Sequence, residues 1–176
     1  SSAGSLAPES SQRNGFSFEG ITTSPGDTAA WFALRAPMVS APGQPAVSAG
    51  SATGRTHALA AAAADAARLA APAVSVRLLP ARSAGLDDLL AADGVLFATP
   101  ENFGYMAGAL KDFFDRTFYP AQGRVEGRPY ALLVSAGNDG RGAAGSVERI
   151  VRGYALTPIA PPLIVRGIPA AADLAA

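Results

Sequence analysis

The chain has no cysteine and a single histidine, His57. Disulfides, thiolate nucleophiles and iron–sulfur ligation are therefore excluded, and one imidazole does not make a zinc site. No apolar run approaches the roughly 20 residues that a membrane-spanning helix needs. An excess of charge is missing too, since 14 basic residues balance 14 acidic ones. Nucleic-acid binders usually carry a basic face, and shuttles steered by charge carry a strong field of one sign. The first residues show neither the basic start nor the apolar core of a secretory leader. A cytoplasmic protein with no nucleic-acid and no membrane partner is the expectation.

What is present is enough for a core. The chain has 176 residues, 49% of them hydrophobic and only 16% charged, which suits one domain, or one domain and a tail. Residues 1–45 are rich in Ser, Gly, Pro and Thr and have no sustained period, so they are expected to form a poorly ordered tail. The run WFALRAPMV, which starts at Trp31, is expected to dock as a small apolar patch. Residues 46–176 are the expected domain.

From Gly50 onward the pattern is regular. Residues 56–69 predict a helix with Leu59, Ala62, Ala63, Ala66 and Leu69 inward. VSVRLLP (74–80) predicts a strand ended by Pro80, and LDDLLAAD a short helix. GVLFATP (94–100) and YALLVSAG (130–137) are apolar throughout, as strands buried on both faces are. Residues 105–118 predict a helix with Met106, Leu110, Phe113, Phe114 and Phe118 on one side. Residues 143–154 predict another, with Val147, Ile150, Val151 and Tyr154 inward, and PPLIVRG a last short strand. Strands alternating with helices imply a parallel sheet covered on both faces. Ligands of such sheets bind outside the carboxyl ends of the strands, which directs attention to residues 50–56, 99–105 and 136–142.

The first of these loops, GSATGRTHALA, offers the hydroxyls of Ser51, Thr53 and Thr56, a tight turn at Gly54, and the positive end of the helix that follows. Together they make a cradle for a phosphate. It is not a nucleoside-triphosphate loop, because the glycines stand too close and Arg55 takes the lysine's place. An ordinary Ser/Thr-capped helix start is the plain alternative. His57 has no nucleophilic serine motif to serve and is expected to be exposed.

The second loop lies in TPENFGYMAGALKDFFDRTFYP (99–120). Pro100 is expected to stop the strand, and Asn102 and Gly104 to allow an unusual turn. Backbone polar groups beside Phe103 and Tyr105 suit a flat heteroaromatic ring with polar edges. A strand-to-helix turn with aromatics in the core reads equally well. In the third loop Gly140, Gly142 and Gly145 match G-x-G-x-x-G. However, the acid expected about 20 residues later is missing, and the loop comes late in the chain. It is expected to be a flexible glycine loop lining the same crevice, or a simple surface turn.

The segments GSATGRTHALA, DGVLFATPENFGYMAGALKDFFDR and ALLVSAGNDGRGA, in this order and spacing, resemble flavodoxin-like proteins of the NADPH-dependent FMN reductase family. The resemblance covers residues 50–167. It implies a flavodoxin-like, doubly wound parallel α/β sheet of five strands in the order 2-1-3-4-5, and a noncovalent FMN. The flavin phosphate would sit on Ser51, Thr53, Gly54, Arg55 and Thr56. The ring would lie against Thr99, Pro100, Glu101, Asn102, Phe103 and Gly104, with Ala136, Gly137, Asn138 and Asp139 closing its other side. The chemistry would be the cofactor's: NADPH or NADH as co-substrate and a quinone, flavin or similar small acceptor. No side chain need act as acid or base, and Glu101 and Asn102 are the candidates for ring-edge hydrogen bonds. The resemblance also implies a homodimer, with Phe103, Tyr105, Arg116 and Tyr119 as candidate contacts.

Two features depart from the family. The stretch before the phosphate loop, APGQPAVSAG, is a weak first strand, apolar only at Ala46, Val47 and Ala49 and interrupted by Pro45. At the other end PAAADLAA gives only the beginning of a closing helix. An electron-transfer module without NAD(P)H activity of its own, and a degenerate member that binds no flavin, are the alternative functions.

Overall fold

The computed structural model describes residues 54–174. The expected tail, Trp31, the weak first strand, and Ser51 and Thr53 of the first loop lie outside the described residues. In chain order the elements are α1 (Arg55–Ala70), α2 (Leu86–Ala91), β1 (Val95–Asn102), β2 (Tyr105–Met106), α3 (Gly108–Ala121), β3 (Pro129–Ala136), α4 (Arg141–Gly153), β4 (Thr157–Pro158), β5 (Leu163–Arg166) and α5 (Ala171–Leu174).

β1 and β3 are the apolar runs foreseen as doubly buried strands. They pair in parallel from Val95↔Tyr130 to Pro100↔Ser135. β3 pairs in parallel with β4 near its start and with β5 near its end. β4 and β5 are thus two pieces of one edge. Between the pairs Tyr130↔Pro158 and Leu133↔Leu163, residues 131–132 lie opposite 159–162. Pro161 and Pro162 have no N–H to give to a ladder, which explains the interruption. The sheet has five strands, parallel except for β2, which folds back antiparallel on the end of β1.

Side chains alternate across the sheet, and each face has its own cover. Val95, Phe97, Tyr130, Leu132, Val134 and Ala136 pack with the buried faces of α2, α3 and α4. Leu96, Ala98, Ala131, Leu133 and Val165 pack under Leu59 and Ala60 of α1. The first layer is aromatic, with the Phe97 and Phe114 ring centroids 5.1 Å apart and those of Phe113 and Phe114 5.7 Å apart. Arg128 ties the layer's edge by donating to the carbonyls of Leu89, Leu90 and Ala92 at the end of α2.

Four expectations need correction. Of the strand foreseen at 74–80 only Pro80 is in a bridge, and the strand expected beside it, just ahead of Gly50, lies outside the described residues. The buried face of α1 is Thr56, Leu59, Ala60, Ala64 and Ala67, whereas Leu69 is 82% exposed. A helix made mostly of alanine gives little contrast from which to read its phase. Pro100 does not stop its strand, since β1 runs on to Asn102. Finally, Tyr105 and Met106 belong to a hairpin rather than to a helix, and α3 starts at Gly108.

Candidate functional site

The described parts of the three loops meet at the carboxyl edge of the sheet. α1 begins there: Arg55 donates from Nη1 to the Gly167 carbonyl just past β5 (3.0 Å), and the Gly167 N–H bonds to the Ala136 carbonyl at the end of β3 (2.9 Å). Gly54 is the residue before the helix, in the left-handed conformation at φ 72°, and among the described residues no side chain caps the first turn. The first amides of a helix have no intrahelical acceptor, and the helix dipole adds positive potential at this end. Thr56 lies in that turn. It is 1% exposed, and its hydroxyl is buried without a hydrogen-bond partner. A buried hydroxyl without a partner is costly, so an acceptor bound at this turn would complete it. His57 is exposed, as expected.

The second loop is a tight hairpin. Glu101 faces Met106 and Asn102 faces Tyr105, leaving Phe103 and Gly104 as the turn, both at positive φ (53° and 72°). The left-handed turn thus falls on Phe103 and Gly104, and Asn102 remains in the strand. Two left-handed residues match the type I′ turn, whose first place usually holds Asn, Asp or Gly. Phenylalanine there is strained, and its ring is fully exposed. Thr99 and Pro100 are buried beneath the hairpin. The Thr99 hydroxyl accepts from the Ala107 N–H (2.9 Å) and donates to the Pro100 carbonyl (2.9 Å). The Thr99 side chain therefore holds the loop, while Asn102, Phe103 and Gly104 form its exposed surface.

The third loop joins β3 to α4. Ala136 is buried, and Gly137, Asn138 and Asp139 are exposed beside the hairpin's carboxylate anchor. That anchor is Glu101. Its carboxylate accepts from the N–H groups of Gly140 (3.2 Å), Gly142 (3.1 Å) and Ala143 (3.3 Å). Asp139 takes the N–H of Arg141 (3.0 Å). The first amides of α4 are all satisfied by the protein's own acids. The glycines have another purpose: a Cβ on Gly142 would lie 2.0 Å from the Gly104 carbonyl oxygen, and one on Gly140 2.4 Å from Ile164. Of the G-x-G-x-x-G pattern, Gly142 lets the hairpin seat on the helix and Gly140 makes room for β5, while Gly145 meets nothing described within 4 Å. Ser146 secures the return strand, accepting from the Met106 N–H (3.3 Å) and donating to the Ala143 carbonyl (2.8 Å).

Sequence reasoning missed the hairpin and the role of Glu101. Among the residues expected at a copy-to-copy contact, Phe103, Tyr105 and Tyr119 are exposed. Arg116 is engaged with Asp112 and with the carbonyls of Ala81 and Ala84. No group of acids and histidines fit to hold a metal occurs among the described residues. No described helix is long and apolar enough to cross a membrane.

A mostly parallel sheet whose loops gather at its carboxyl edge is consistent with what the family comparison finds. The model of the NADPH-dependent FMN reductase family matches residues 46–163. The chain belongs to that family. Its sheet and helices resemble a flavodoxin from the domain Archaea, with TM-score 0.62 and 22% identity over 74% of this chain and 88% of the other. They also resemble a WrbA-like flavodoxin from Agrobacterium tumefaciens, with TM-score 0.59 and 16% identity over 75% and 88%. These structures share the flavodoxin-like fold. In sequence the chain is 40% identical over 58 residues to the quinone-oxidoreductase QR2 of Triphysaria versicolor, spanning 32% of this chain and 28% of that protein. It is 44% identical over 50 residues to an NAD(P)H dehydrogenase (quinone) of Acidithiobacillus ferrooxidans, spanning 28% and 25%. The matched segments therefore cover about a quarter of each of these relatives.

Proposed function

We propose that this chain is an FMN-binding oxidoreductase that takes electrons from NADPH or NADH and delivers them to a small acceptor of the quinone or flavin class. One observation carries the proposal. At the carboxyl edge of a flavodoxin-like sheet, α1 buries a Thr56 hydroxyl that has no partner among the described residues, in a helix start that no described side chain caps. That combination fits a terminal phosphate group, and family membership makes FMN the cofactor that carries it.

Thr56, Gly54 and Arg55 at the start of α1 would hold the phosphate, with Ser51 and Thr53 from the preceding stretch. The exposed surface of Asn102, Phe103 and Gly104 would meet one side of the ring, and residues 137–139 the other. Hydride acceptance from a nicotinamide and electron delivery to the acceptor are the chemistry that such a cofactor supplies. The chain's own part is to bind, orient and shield. Thr99 and Ser146 fix the hairpin from within, and no side chain at this edge need donate or take a proton. The exposed Phe103 and Tyr105 beside the crevice favour a homodimer, and a cytoplasmic location completes the proposal.

The test is reconstitution followed by turnover. Purified protein is loaded with FMN, freed of excess, and given NADPH or NADH with a soluble quinone. NAD(P)H oxidation that requires both the bound flavin and the quinone supports the proposal. Flavin-loaded protein that oxidises neither nucleotide is an electron-transfer module instead. Folded protein that takes up no FMN is a member that has lost the cofactor.

A further inference from the structure

Glu101 is the side chain through which the second loop meets the start of the third. We propose that it is a positioning residue for the flavin ring: its carboxylate locks the 101–106 hairpin onto α4, shaping the wall the ring packs against, without meeting the ring. This assignment rests on the flavin-binding function proposed above.

The geometry carries the argument. A carboxylate accepts only and has room for several donors. Here Oε2 takes the Gly140 N–H and Oε1 takes those of Gly142 and Ala143. The positive end of α4 strengthens all three bonds. The hairpin needs such an anchor because its turn is unfavourable by itself. Phe103 sits at φ 53°, a left-handed conformation that is strained for a non-glycine residue. The Gly104 carbonyl is pressed where a side chain on Gly142 would stand. The return strand is held by Thr99 and Ser146, and the outgoing strand is tied to α4 by Glu101. The two loops that would flank the ring therefore move as one body. Three of the carboxylate's roughly four acceptor positions are engaged by amides, so the role assigned to Glu101 is to hold the wall rather than to meet the ring edge.

The experiment compares wild type with Glu101→Ala, measuring FMN and riboflavin affinity by flavin fluorescence with and without added acetate. Removing the carboxylate leaves three amides and a space that a small carboxylate can refill. The expected result is a loss of about tenfold or more in affinity, by the same factor for FMN and riboflavin, because the ring wall is disturbed and the phosphate site is not. Acetate should restore most of the loss in the variant and change nothing in wild type. Hydrogen exchange of the Gly140, Gly142 and Ala143 amides, read in flavin-free protein, should accelerate in the variant and slow again with acetate. Gly142→Ala supplies a second route should Glu101→Ala not fold. It keeps the carboxylate, displaces the Gly104 carbonyl, and should lose affinity for both flavins without acetate rescue. Unchanged affinity in either folded variant would overturn the proposal. So would a loss in Glu101→Ala that acetate leaves in place while it restores amide protection, since the carboxylate would then be acting on the ring itself. If wild type binds neither flavin, the proposed function falls and the role toward the ring falls with it. The exchange data then still decide whether the clamp exists.

Discussion

α1 and α4 begin in nearly the same way. Each follows a left-handed glycine, Gly54 at φ 72° and Gly140 at φ 71°, and neither is capped by the side chain of that glycine's position. Both starts come from glycine-bearing loops that invite a phosphate. They differ in what occupies the first turn. At α4 the amides are taken by Glu101 and Asp139. At α1, among the described residues, no side chain caps the turn, and the buried hydroxyl of Thr56 has no partner. Glycine and a helix start are thus not sufficient to mark a phosphate site. What decides is whether the protein has already answered its own donors.

The largest test of this contrast exchanges each glycine for alanine. Gly140→Ala combines left-handed strain with a Cβ placed 2.4 Å from Ile164, so it should cost about 2–5 kcal/mol. Gly54→Ala carries the strain but has nothing among the described residues within 4 Å of the new Cβ, and should cost about 1–2 kcal/mol. Urea denaturation measures both, and equal costs would remove the claim that α4 is sealed by close contact. Next in size is Ser146→Ala, which leaves the buried Met106 N–H without its acceptor. A loss of about 1–3 kcal/mol is expected by the same method.

Thr56→Val should change stability hardly at all, because it replaces an unpartnered hydroxyl with a methyl group. Its effect should be on binding: FMN affinity falls by about tenfold, worth about 1.4 kcal/mol, while riboflavin affinity stays put. Separate fluorescence titrations show whether the loss belongs to the phosphate. A separate effect, seen only at high pH, lies at the far end of α4. Tyr154 is buried against α3, with its hydroxyl bonded to the Phe114 carbonyl and to Thr117. Burial pushes its pKa up from 10.0 to about 12. The folded state then holds the proton more tightly than the unfolded one. This contribution to stability is complete below pH 10 and is lost as pH rises from 10 through about 12. Tyr154→Phe should flatten that fall in a pH series of denaturation midpoints and leave both helix starts untouched.

The apolar runs that became β1 and β3 were legible because strands buried on both faces need no polar residue, and α4 was legible because its apolar residues keep the helical period. The hairpin at 101–106 was not. The usual signal for a two-residue turn is Asn-Gly or Asp-Gly, and here phenylalanine holds the first place. The phase of α1 was hidden by alanines, which look alike on every face. The role of Glu101 was beyond reach, since the amides it holds lie 39 to 42 residues further along the chain. Its neighbours in sequence suggested a ring contact, and only the fold shows its oxygens already engaged. The proposed phosphate loop was the opposite case: hydroxyls, glycine and helix are adjacent in the chain, so a local motif was enough to suggest it.

The measurement that tests the central claim most directly is the affinity of wild-type protein for FMN against riboflavin, at equal ionic strength, with inorganic phosphate as competitor. The start of α1 as a phosphate site predicts that FMN binds at least about 100-fold more tightly than riboflavin, a gap of about 2.7 kcal/mol, and that phosphate narrows it. Equal affinities, or a gap unmoved by phosphate, would contradict it.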